Sequence, residues 1–210
     1  MEKIQLDDKI ILYKENKIFD FFDILKKIED QESTENVWQL SSPNNINNTD
    51  LTNKGEILVL EDTRIFLNSQ KISKYPPSYS SLVNKQSEFN IKKLKLKNCL
   101  ISFSLPFILE YLEETEQTIQ TIKPWIVCKN IKNENFILDE SKNDIANKNT
   151  IIVCLSKEHS GGGVQFKDRV GNEITPLNEG DVLIYPSGVD YSHKIYPVTT
   201  GDQYLAVSYF

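Results

Sequence analysis

Residues 125–210 carry six short segments, "WIVCKN", "TIIVCLS", "GVQFKD", "DVLIYPS", "SHKIYPV" and "YLAVSYF". Each is rich in β-branched and aromatic side chains and is bounded by Gly, Asn, Pro or Ser. They recur at intervals of roughly 8–15 residues, too short and too often interrupted for helices, and that spacing is the text of an antiparallel sandwich or barrel. This pattern constrains the fold more than any other feature of the chain. It predicts a mainly β architecture.

The first half reads differently. "IFDFFDILKKIEDQE" places Ile18, Phe21, Phe22, Leu25 and Ile28 on one helical face, with Asp20 positioned to cap the start. "SSPNNINNTDLTNKG", Ser41 to Gly55, has turn residues and no apolar period, so an exposed loop is expected. "EILVLEDTRIFL" reads as strand and "KYPPSYSS" as a break, because two prolines remove backbone donors. "KKLKLK", Lys92 to Lys97, alternates like a half-buried strand. A second helix is expected from Pro106, a favourable first helical residue, to about Ile122. The fold class is therefore mainly β with flanking helices (α+β). We expect residues 1–90 to form a helix and strand elaboration packing on a β core at 91–210, the whole being one structural domain.

At 210 residues the chain can bury one sizeable core. Its formal net charge of -6 argues against nucleic-acid and anionic-membrane surfaces, both of which need a concentrated positive footprint. No apolar run approaches the ~20 residues needed to span a bilayer, and "MEKIQLDDK" lacks a signal-peptide core. A cytoplasmic protein is the expectation. Cys99, Cys128 and Cys154 are widely spaced in apolar text, which predicts free, mostly buried thiols rather than disulfides or a zinc site.

Only two histidines are present. His159 sits in the glycine-rich "SKEHSGGG" and is expected to be solvated. His193 opens a β-branched strand after a turn, and in a jelly roll that place points into the barrel mouth. A histidine there is either a hydrogen-bonded core residue or a ligand. No spacing on the chain makes a two-histidine metal site or a Ser/His/Asp triad evident, and the triple glycine lacks the strand-then-helix setting of a phosphate loop.

Order and spacing add a resemblance. Leu155-Ser156, Gly161 to Gly163, Pro176 with Gly180, Tyr185-Pro186-Ser187, and then His193, Pro197, Val198 and Gly201 follow one another as "IIVCLSKEHSGGG", "ITPLNEGDVLIYPS" and "YSHKIYPVTTGDQYLAVSYF". Over about residues 125–210 this resembles the 2-oxoglutarate and iron(II)-dependent oxygenases of the prolyl 4-hydroxylase-like group. The resemblance implies a double-stranded β-helix (jelly roll) core. It also implies Fe(II) and 2-oxoglutarate as cofactors, the metal being held by a His-x-Asp pair and a distal histidine. His193 matches that distal histidine.

Two parts of the pattern are not matched. Where the His-x-Asp pair should fall, "NFILDESKND" (Asn135 to Asp144) has no histidine. Asp139 and Ser141 take the two places, or Asp139 takes the aspartate place with Ile137 at the histidine. The arginine that grips the far carboxylate of 2-oxoglutarate falls at Gln203. A serine hydroxyl is a poor ligand for iron(II). An amide in place of a guanidinium forgoes a charge-assisted grip worth about 1.5–3 kcal/mol.

Three functions stay open on these grounds. The first is an oxygenase-like protein that is catalytically impaired or non-catalytic and binds a protein, a peptide or a small molecule. The second is an active dioxygenase with non-standard ligands, Asp139 and His193 with Asp144 or Glu140, hydroxylating a protein side chain or small molecule. The third is an unrelated jelly roll of the cupin or lectin kind. Trp38 and Arg64 are candidate entrance residues, or else packed core and a solvated strand face.

Overall fold

A computed structural model describes residues 2–14, 21–29, 39–40, 50–51, 56–60, 77–118, 122–123, 125–130, 138–139 and 149–210. An antiparallel eight-stranded sheet forms its centre. Its strands are β1 (Glu2–Asp7), β2 (Ile10–Lys14), β3 (Gln39–Leu40), β5 (Glu56–Leu60), β6 (Trp125–Asn130), β8 (Asn149–Cys154), β12 (Val182–Pro186) and β15 (Gln203–Tyr209). Their order across the sheet is β1-β2-β12-β8-β15-β6-β5-β3. The N-terminal strands therefore join both edges of the sheet.

Smaller ladders face one side of it. β10 (Val164–Phe166) lies between β11 (Ile174–Thr175) and β13 (His193–Ile195), β9 (His159–Gly161) pairs with β14 (Val198–Gly201), and β4 (Asp50–Leu51) pairs with β7 (Leu138–Asp139). Helices cover the other side: α1 (Phe21–Glu29) and α2 (Pro77–Glu114). Three layers result, with cores on both faces of the large sheet.

That layering explains the central strands. Every residue of β8 and β15 is buried, so their text runs nearly continuously apolar instead of alternating with polar residues. Parity still assigns the faces. Leu205 and Val207 point into the barrel, while Tyr204 and Ala206 point at the helices.

The six C-terminal strands and the helix at Phe21 stand where the sequence placed them. Residues 92–122 do so only in part: 106–114 is helical as expected, but the helix starts at Pro77, inside the expected break, and ends at Glu114 rather than near Ile122. Lys92 to Lys97 is helical, and Pro106 lies inside α2 rather than at its start. The buried residues explain the difference: Leu96, Leu100, Phe103, Phe107 and Tyr111 recur at spacings of three and four and pack on the sheet, whereas Leu94, the other half of the apparent alternation, is exposed. Pro106 is tolerated because it sits on the solvent side of the helix. Its missing N–H leaves only the exposed Ser102 carbonyl without a helical donor. The same helix runs through residue 90, where the sequence put the start of the β core. Ser141, Trp38, Arg64 and the Asp20 cap lie outside the described residues. Cys128 and Cys154 are buried and Cys99 is half-buried, all three as free thiols.

Candidate functional site

His193 is 6% exposed and pairs through its backbone with Phe166 across the β10–β13 ladder. Alternation along β13 sends His193 and Ile195 inward and Lys194 outward. The imidazole meets two aromatic rings, Tyr185 at 5.2 Å between centroids and Phe166 at 5.8 Å, and those two stack edge-on at 4.9 Å. Its Nε2 is 3.2 Å from the Tyr185 hydroxyl, and its Nδ1 is 3.3 Å from the Tyr191 carbonyl oxygen. One tautomer satisfies both contacts: Nδ1–H donates to Tyr191 and Nε2 accepts from the Tyr185 O–H. β7, which carries Asp139, lies beside β13. The chain at 139 and the histidine at 193 are thus brought to the same end of the barrel.

Gln203 stands at the other end, so the structure does not bring it beside His193 and the chain at 139, as one 2-oxoglutarate site would require. Tyr185 pairs with Thr150, and Thr150 pairs with Tyr209. The six residues from Tyr209 back to Gln203 make about 20 Å along the strand direction. Gln203 is fully buried on the inner face of β15. Its Nε2 lies 3.2 Å from the Leu177 carbonyl oxygen, to which it donates, and 3.1 Å from Nε2 of His159. The His159 Nε2 is itself 3.0 Å from that same carbonyl, and its Nδ1 is buried without a hydrogen-bond partner.

His159 is therefore not the solvated turn residue that its glycine-rich setting suggests. Register places it: His159 pairs with Gly201, two residues before Gln203. Gly201 has φ +70°, and a Cβ there would come within 2.3 Å of the Glu158 carbonyl oxygen, so only glycine lets the strands close at this point. At Gly162 a Cβ would fall 2.6 Å from Oε1 of Gln203. The backbone of the glycine run rests directly on the amide.

These contacts decide how well the residues suit iron and 2-oxoglutarate. Both ring nitrogens of His193 lie within 3.5 Å of the Tyr185 hydroxyl, which crowds the place a metal would take. Between His193 and Gln203 the interior is one cluster of apolar side chains, with Val164, Leu183, Ile195 and Leu205 all at 0% exposure. Among the described residues no lysine or arginine is buried, and no group of three His, Cys, Asp or Glu is placed to hold a metal ion. A dicarboxylate entering such an interior would lose its hydration with no cation to replace it. The described residues do not fit the pair of cofactors.

His193→Ala is expected to lower stability by about 1–3 kcal/mol, because it removes a buried, hydrogen-bonded imidazole packed against Tyr185 and Phe166 and leaves a space in its place. Urea denaturation measures this. An unchanged midpoint would show that the imidazole carries no structural weight.

The fold has recognisable relatives. No family model and no curated protein sequence matches the chain. Solved structures do. A prolyl hydroxylase from Trichoplax adhaerens, in complex with an oxygen degradation domain peptide of hypoxia inducible factor, superposes with a TM-score of 0.60 at 10% identity, covering 96% of this chain and 83% of that one. A prolyl-4-hydroxylase from Pseudomonas putida gives 0.55 at 8% identity, with 96% and 91% covered. The viral collagen prolyl hydroxylase of Paramecium bursaria Chlorella virus-1, in its 2-oxoglutarate complex, gives 0.50 at 9%, with 96% and 95% covered. The class is thereby defined: this is a jelly roll of the double-stranded β-helix kind. It is the fold that these prolyl hydroxylases share.

Proposed function

We propose that the chain is an oxygenase-like protein whose catalytic centre is impaired, kept for binding a protein, a peptide or a small molecule. One observation carries this reading. At the place in the sequence where the resemblance calls for a carboxylate-gripping arginine stands Gln203, buried, with its amide against the Leu177 carbonyl and His159. An uncharged amide held in that way offers no charge-assisted grip on a 2-oxoacid. The engaged Nε2 of His193 supports it from the opposite end. Fe(II) and 2-oxoglutarate belong to this proposal only as the groups that the sequence resemblance implies; nucleic acid and membranes are not among the partners proposed, and a cytoplasmic location is. Among the described residues no helix is long and apolar enough to cross a membrane.

Mixing the protein anaerobically with iron(II) and 2-oxoglutarate is expected to give no metal-to-ligand charge-transfer band, and exposure to air no succinate. Stoichiometric succinate would overturn the reading. It would favour an active dioxygenase with Asp139 and His193 as ligands, to which the closeness of β7 and β13 lends support.

A further inference from the structure

A short piece of chain between β12 and β13 lies against His193. It contains a single turn of 3-10 helix, Val189–Tyr191. The Tyr191 carbonyl takes the imidazole Nδ1 at 3.3 Å, and the Tyr191 side chain packs on the barrel core. Both ends of the piece are anchored. The Ser187 hydroxyl lies 2.8 Å from that of Thr150, and the Lys167 N–H donates to the Ser192 carbonyl at 2.8 Å, continuing the β10–β13 ladder. Between the anchors lie residues 188–191. They begin at Gly188, whose φ of +127° suits glycine and strains other residues, although an added Cβ there would meet no atom within 4 Å.

Arg169 reaches this piece from the loop after β10. Its guanidinium lies 4.4 Å from the Tyr191 ring centroid, its Nε donates to the Asp190 carbonyl at 2.9 Å, and its Nη1 is 3.3 Å from Oδ2 of Asp7. The loop that presents it is strained. Asp168 and Val170, on either side, have φ of +56° and +51°, and Asn172 has +58°. Such angles are uncommon for any residue with a Cβ, and for a β-branched valine they are a genuine outlier. Strain of this kind persists only where the surroundings over-determine it. Here it brackets an extended Arg169, φ -135° and ψ 166°, whose side chain lands on the 188–191 segment.

We infer that residues 188–191 are a strap that swings on Gly188 and gates access to His193, and that Arg169 is the latch holding it shut. The latch joins three elements: the strap by stacking and a hydrogen bond, the β1–β2 turn through Asp7, and its own loop. With the strap shut, His193 is 6% exposed and Tyr185 is 0% exposed. When it swings out, the Tyr191 carbonyl and ring leave together and uncover the Nδ1 edge of the imidazole. The gate governs access to the histidine whichever ligand the barrel takes.

Diethyl pyrocarbonate acylates accessible imidazoles, and peptide mass mapping separates the two histidines of the full chain. His159, at the opposite end of the barrel beside Gln203, is the internal control. R169A is expected to raise the modification rate of His193 about tenfold and to leave that of His159 unchanged. R169K keeps a charge near Asp7 but loses the planar stack on Tyr191, so it should fall between. G188A tests the hinge without touching the latch. Its Cβ enters open space, so only the backbone angle of the shut strap is penalised, and His193 should again react faster than in the parent. An unchanged His193 rate in either R169A or G188A would overturn the gate. Equal acceleration at both histidines would overturn it as well, leaving Arg169 a general brace of the fold. Should R169A fail to give a cooperative melting curve, Y191L, which removes the ring under the guanidinium and keeps an apolar side chain, takes its place and is read the same way.

Discussion

Gln203→Arg is expected to destabilise the chain by about 3–5 kcal/mol, the penalty of a buried charge without a partner. The substitution restores the side chain that the resemblance calls for, into a barrel that has been built around its absence. Guanidinium stays protonated at any accessible pH. It would meet the Leu177 carbonyl and His159, neither of which is an anion, under a Gly162 backbone already in contact with the amide. Thermal melting with and without 2-oxoglutarate measures the effect. A variant that melts like the parent and is stabilised further by 2-oxoglutarate would show that the carboxylate pocket survives, and would remove the main support for an impaired centre.

The second large effect lies in the helical layer. Phe103→Ala is expected to cost about 3–5 kcal/mol, lowering the melting temperature by roughly 10 °C. Phe103 stacks edge-on against Phe21 of α1 at 5.2 Å and packs on Phe107 at 5.3 Å, and Phe107 continues to Tyr13 of β2, again at 5.2 Å. This row of rings ties both helices to the large sheet. Deleting its middle member breaks the tie between α1 and β2 as well as opening a cavity. A loss below about 1 kcal/mol would mean that the layer collapses to refill the site.

What the sequence conveyed, and what it withheld, follows from the range of the interactions. The C-terminal strands were legible because each is specified locally, by β-branched residues between turn residues, and the Pro197, Val198 and Gly201 spacing after His193 pointed to the fold. The segment Lys92 to Lys97 misled because six residues of alternating leucine satisfy a period of two while Leu96 alone also satisfies a period of three and four. Only Leu100 to Tyr111, outside that window, decide between them. At the site, the inward direction of His193 and Gln203 was readable. The partners of each were not. Tyr185 reaches His193 across two sheets, and His159 reaches Gln203 through strand register, so no spacing along the chain announces either contact.

β15 sits between β8 and β6, in the middle of the large sheet, although every other strand precedes it along the chain. During ribosomal synthesis the flanking strands therefore emerge early and wait, each offering an unpaired edge, until the last segment threads in. Nascent chains of this topology depend on slow, long-range closure and on protection from neighbours in the meantime. A stop codon just before residue 203 would not trim the molecule but leave two half-sheets with nothing to join them.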